Sequence, residues 1–167
     1  MSDVDAELVL GKIFESAIET KRKVGQMYQQ FAELFSHVPE VEDFWRKMNL
    51  NQITHADWLQ ETKESLSEDQ ILSLPEVELV LKTHAIRNLF EKHSEKEIGT
   101  LHDAYLIAHE LESSDVNDLF KTLSSQYISS EEKRNLVLDT IEEHRKQIKD
   151  LSKKFEDNMT EIKAAGA

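Results

Sequence analysis

Cysteine is missing from this chain altogether, and its 167 residues include only four glycines and two prolines. Without a thiol there is no disulfide framework, no thiolate-held zinc or iron and no cysteine nucleophile. Glycine and proline together stand at about a third of their usual share. So turn-poor a chain argues against sandwiches, barrels and doubly wound sheets. No apolar run approaches the roughly 20 residues of a membrane span, so no membrane association is expected. The opening MSDVDAELVLGKIFES has no basic segment ahead of an apolar one, so no secretory signal is expected and a cytoplasmic location is. Basic side chains are in deficit, 20 against 33 acidic, for a net charge of −13. That balance disfavours nucleic acid and anionic lipid as partners.

What remains is helical periodicity, with 39% hydrophobic residues in three- and four-residue steps. The few breaks divide it. His37-Val38-Pro39 separates two long patterns, and Ser67 to Pro75 ends the second. A shorter amphipathic stretch covers about 76–93, and Gly99 precedes a third long pattern over about 100–123. A polar connector at 124–130 ends in Ser130, an N-cap residue followed by Glu131 and Glu132. The fourth pattern runs from Glu131 to about Ile162. The expected fold is a single all-α domain over 1–167, an antiparallel four-helix bundle. Its parts are a hairpin at 4–66, a crossover at 67–99 containing a short helix, and a hairpin at 100–162. The tail from Lys163 is expected to fray.

Each long helix carries one apolar seam, and each seam turns polar near its middle. Lys21 interrupts the first, Asn51 and His55 the second, Glu112 the third and His144 the fourth. Lys21 and His55 each stand 17 residues from position 38, and Glu112 and His144 each stand 16 from position 128. Equal distance from a turn means equal depth in an antiparallel pair, so all four belong to one level of the core. The step from Lys21 to Glu112 is 91 and that from His55 to His144 is 89, so the two halves look like copies.

This layout and the local sequence resemble the ferritin-like superfamily, in its rubrerythrin-like branch. The stretches that carry the likeness are Ile13–Tyr28, Pro39–Trp45, Gln52–Leu59, Ala104–Ser114 and Glu142–Arg145. The resemblance covers both hairpins and leaves out the crossover and the tail. It implies a bundle with a di-iron centre built from one Glu on each of helices 1 and 3 and a Glu-x-x-His on each of helices 2 and 4. Here Lys21, Gln52 and Ile141 stand where three of those carboxylates belong, and only His55, Glu112 and His144 match. Two close iron cations need bridging carboxylates, and an ammonium in their place repels them. The expectation is a degenerate site with no metal and no cofactor.

Lys21 and Glu112 occupy corresponding places in the two halves, so an internal Lys21–Glu112 ion pair is expected where the metal would be, because an unpaired buried charge is costly. His55, His144, Gln52 and Tyr28 or Tyr105 would complete its hydrogen bonds. The rival reading keeps His55, Glu112 and His144 as two imidazoles and a carboxylate around a single iron or other divalent ion, in a residual metal-binding protein or oxidoreductase. The favoured function is non-enzymatic: a binding or structural protein whose acidic surface suits a basic protein partner, or a homodimer.

Overall fold

The apolar seams close on one another in an all-helical structure. The computed structural model describes residues 9–113 and 115–166, and among them no strand forms. Helix α1 is Leu10–Leu34, α2 Pro39–Glu64, α3 Glu68–Ile71, α4 Val77–Ser94, α5 Leu101–Glu112, α6 Asp115–Tyr127 and α7 Glu131–Lys154. No helix among the described residues is long and apolar enough to cross a membrane. The expected start of the first helix near Val4 lies outside those residues.

Local chemistry sets most of the boundaries. Pro39 opens α2, with Glu40 and Glu42 in its first turn and Lys63 in its last, each placed to favour the helix dipole. Thr100 and Asp103 form a reciprocal capping box at the start of α5. The Ser130 side chain accepts from the Lys133 amide, which caps α7 as the sequence indicates. The crossover carries, besides the expected helix α4, the short α3 with its own Ser67–Gln70 capping box.

Helix α1 packs along α2, and α6 touches α1, α2, α4, α5 and α7. Gln29 of α1 accepts from Arg46 and Asn49 of α2, while Lys63 near the end of α2 reaches Glu15 near the start of α1. These contacts fix an antiparallel pair. Helices α2 and α7 are antiparallel too, since Lys133 bonds Glu61 and Lys154 pairs with Glu40. Where α1 and α2 cross, a Cβ on Gly25 would stand 2.9 Å from Asn49 Oδ1 and 3.3 Å from Gln52 Cβ. Glycine there lets α2 bring Gln52 close to α1, one turn beyond Lys21.

The seam residues Leu10, Phe14, Ala17, Val24, Tyr28, Phe31 and Phe35 of the first pattern are all buried. So are Leu101, Ala108, Val116, Leu119 and Leu123 of the third, and Val137, Ile141, Ile148 and Leu151 of the fourth.

Three expectations about boundaries need correction. The third pattern is not one helix: α5 ends at Glu112 and α6 begins at Asp115, at a point where the sequence carries serines, which favour caps over helix interiors. The connector at 124–130 is shorter than expected, because α6 continues to Tyr127. Helix α7 stops at Lys154 instead of near Ile162, and the chain beyond it turns back instead of fraying. Leu101 N donates to Ile162 O at 2.9 Å, His102 N to Met159 O at 3.0 Å and Ala165 N to Leu34 O at 2.8 Å. Met159 and Ala164 are buried. The tail thus supplies carbonyls to amides at the start of α5 that no helical turn can satisfy.

Candidate functional site

The polar layer read from the seams is assembled at the centre of the structure. Lys21, Gln52, His55, Glu112 and His144 are each at most 3% exposed, and Asn117 of α6, absent from the sequence reading, joins them at 1%. Asn51, by contrast, is only half-buried, and the inward position on that turn of α2 belongs to Gln52.

Glu112 is the hub. Its Oε1 accepts from the Tyr28 hydroxyl at 2.9 Å and from Gln52 Nε2 at 2.9 Å. Its Oε2 accepts from Asn117 Nδ2 at 2.9 Å, and the same nitrogen donates to the Glu112 backbone carbonyl at 2.8 Å. Asn117 Oδ1 in turn accepts from Lys21 Nζ at 3.0 Å. With both acceptors on one side and the ammonium on the other, the carboxamide has one consistent orientation. Lys21 therefore reaches Glu112 through Asn117, and the expected direct ion pair is a three-residue relay. The Nζ also sits 4.7 Å from the centre of the Phe120 ring, a cation–π contact.

The break in the third pattern makes the relay. In an unbroken helix Asn117 would lie about 140° around the axis from Glu112. Ending α5 at Glu112 and restarting at Asp115 lets α6 turn Asn117 back toward the last carboxylate of α5. The signal for it was Ser113-Ser114-Asp115 in mid-pattern, followed by an asparagine.

The histidines do not complete the hydrogen bonds expected of them. His55 and His144 stack with ring centroids 4.8 Å apart, and Phe120 covers His55 at 4.4 Å. All four ring nitrogens are buried without a partner among the described residues, as is Gln52 Oε1. Tyr105 is half-buried and stacks on His109 outside this layer. Ile141 is buried and gives the layer an apolar edge.

Electrostatics follow from burial. Desolvation lowers the Lys21 pKa to about 8 against the upward pull of Glu112. Desolvation also drives His55 well below its ordinary value, helped by the charge of Lys21 and by His144. His144 is lowered by desolvation and by Lys21, with Glu112 and Glu143 opposing. The Tyr28 phenol is held well above its usual range by burial, by the Glu112 charge and by its bond to that carboxylate. At neutral pH both imidazoles are uncharged and the phenol keeps its proton.

As a metal centre the layer fits poorly. The di-iron site that the resemblance implies would need carboxylates where Lys21, Gln52 and Ile141 stand. Among the described residues no group of three or more His, Asp or Glu is placed to hold an ion, so His55, Glu112 and His144 are not assembled as the rival reading requires. Both Glu112 oxygens already accept from internal donors. Away from the centre, buried His93 of α4 bonds Glu110 of α5 through Nε2 at 2.8 Å, a pairing the sequence did not indicate.

No family model, curated protein or solved structure matches the chain.

Proposed function

We propose that this chain is a ferritin-like four-helix bundle of the rubrerythrin-like branch, that its di-iron centre has been replaced by an internal polar network, and that it works as a non-enzymatic binding or structural protein. The observation that carries the reading is the state of Glu112. The ligand position retained on the third helical pattern spends both of its oxygens on Tyr28, Gln52 and Asn117. Lys21, at the corresponding place in the first half, puts an ammonium beside them. In this proposal α1, α2, the α5–α6 pair and α7 are the four members of the bundle, and the Lys21–Asn117–Glu112 relay supplies the cohesion that bridging metal ions would give.

The binding role rests on the surface. Leu72, Leu74, Val77 and Leu81, in and beside the crossover helix, are each at least 60% exposed. Glu68, Asp69, Glu76 and Glu78 accompany them in sequence. Apolar side chains among carboxylates fit a protein surface that offers apolar and basic groups.

Elemental analysis tests the central claim. Protein purified without a chelating column should carry well under one transition metal per chain. The combined variant Lys21→Glu, Gln52→Glu and Ile141→Glu, which restores the missing carboxylates, should take up iron. Stoichiometric metal in the parent chain would overturn the proposal, and so would a folded triple variant that takes up none.

A further inference from the structure

We propose that Lys21 and Asn117 join in an intramolecular isopeptide bond, the lysine amine displacing the carboxamide nitrogen as ammonia and Glu112 carrying the proton. This goes beyond the loss of metal: the relay becomes a self-processing site whose product is a covalent link between α1 and α6.

Four features of the geometry carry it. Nucleophile and electrophile are already in contact, since Lys21 Nζ is 3.0 Å from Asn117 Oδ1. With the carbonyl bond about 1.2 Å long, Nζ lies within about 4.2 Å of Cγ, so a shift of about 1 Å brings it to attack distance. The leaving nitrogen faces the proton carrier, because Nδ2 is 2.9 Å from Glu112 Oε2. Its second bond, to the Glu112 carbonyl at 2.8 Å, holds the carboxamide in that orientation. Tyr28 and Gln52 both donate to Oε1, which leaves Oε2 as the oxygen that can exchange a proton with Asn117. Finally, all three groups are buried and Phe120 covers the Lys21 amine, and that excludes the bulk water that would favour hydrolysis over aminolysis.

Burial also prepares the nucleophile. With its pKa lowered to about 8, the amine gives up its proton far more readily than a solvated lysine.

The reaction starts from the neutral amine and the protonated carboxyl, which have the same total charge as ammonium and carboxylate. The Nζ lone pair forms a bond to Cγ while the carbonyl π pair moves to Oδ1. Nδ2, now bonded to a tetrahedral carbon, gains a lone pair and takes the proton from Glu112 Oε2. An Nζ proton passes to Oδ1, the atom to which Nζ already donates. The carbonyl re-forms, the Cγ–Nδ2 pair departs with the nitrogen as ammonia, and the ammonia takes the Oδ1 proton to leave as ammonium beside the Glu112 carboxylate. No oxidant, metal or cofactor is consumed, and the product is a secondary amide with loss of about 17 Da.

The link would close a segment spanning 96 positions. It would also abolish the charge on Lys21, which is buried in the core.

Intact-mass spectrometry of the purified full chain, fresh and after incubation at pH 7 and at pH 9, tests this directly, with circular dichroism to verify folding. The parent should lose about 17 Da, more completely at pH 7 than at pH 9, because above the Lys21 pKa of about 8 the pair gives up the proton that the leaving nitrogen needs, and proteolysis should yield one joined peptide containing Lys21 and Asn117. Lys21→Arg, Asn117→Ala and Glu112→Gln should keep their full mass. A folded parent that keeps its full mass at pH 7 overturns the proposal. So does the same loss confined to the Asn117 peptide with no joined product, which is succinimide formation. A Glu112→Gln chain that cross-links as fast as the parent removes Glu112 from the reaction and overturns the proposal as stated. None of these outcomes involves metal content, so they stand apart from the test of the ferritin-like reading.

Discussion

His55 and His144 lie ring against ring, 4.8 Å apart and inclined by 29°, between helices that approach from opposite halves of the chain. Neither offers a nitrogen to any described partner. The stack is closed on the far side of His55 by Phe120, so two heteroaromatic rings are packed as though they were hydrocarbon. Each unpartnered buried nitrogen costs on the order of 1–3 kcal/mol relative to a solvated one. The pair thus stores instability at the centre of the core, beside the Glu112 network, and it ties that instability to pH.

Stability should fall as the medium is acidified from pH 7.5 toward 5. Both imidazoles have folded-state pKa values below their ordinary 6.5. Below that value the unfolded chain binds protons that the folded chain refuses, so the unfolding free energy decreases as pH drops. Urea midpoints measured across this range should move steadily downward. The double variant His55→Leu/His144→Leu should show a flatter profile over the same interval. A slope unchanged by the double substitution would place the acid sensitivity elsewhere.

The Glu112 network should behave as a unit. Removing the Tyr28 hydroxyl with Tyr28→Phe leaves Glu112 two side-chain donors and should cost about 1 kcal/mol. Glu112→Ala strands the Tyr28 hydroxyl, the Gln52 amide and the Asn117 amide together, and should cost about 3 kcal/mol or more. Because the phenol loses its partner only once, the double variant should be less destabilised than the two single losses combined. Strict additivity in a double-mutant cycle by urea denaturation would contradict a shared network.

The depth of the polar layer was legible because it depends only on turn positions and helical rise. Counting outward from positions 38 and 128 puts Lys21, His55, Glu112 and His144 at one level, where they are buried together. The seams are legible for the same reason, since a three- and four-residue repeat survives small errors in helix ends. What sequence periodicity does not carry is a change of phase. The stripe through Glu112, Val116 and Leu119 continues across Ser113 and Ser114 as though the helix did, and so it passes over Asn117. A side chain that acts only after the helix restarts has no place in a continuous wheel. Hydrogen-bond direction is equally invisible to spacing, and for that reason a direct Lys21–Glu112 pair was expected where a carboxamide stands between them. The tail misled for a different reason. Ala164, Ala165 and Gly166 have no long side chains to signal burial, and they are held largely by backbone bonds that any residue could make.

That tail gives the last prediction. The first amides of a helix have no intrahelical acceptor, and at the start of α5 two of them, Leu101 N and His102 N, are served by the Ile162 and Met159 carbonyls. The capping box of Thr100 and Asp103 serves others. Ending the chain at Asn158 removes both carbonyls, uncovers buried surface against Met159 and Ala164, and leaves the Leu34 and Gly99 carbonyls without their donors. The expected loss is about 2–4 kcal/mol, from the lost hydrogen bonds and the apolar area returned to water. Hydrogen exchange should locate it: amides 101 and 102 should lose protection first, while amides in the middle of α2 change only as global stability does. Thr100→Ala offers the comparison, because it removes the hydroxyl cap but keeps the tail, and should cost about 1 kcal/mol. If truncation at Asn158 proves no more costly than Thr100→Ala, the tail does not brace α5 in solution.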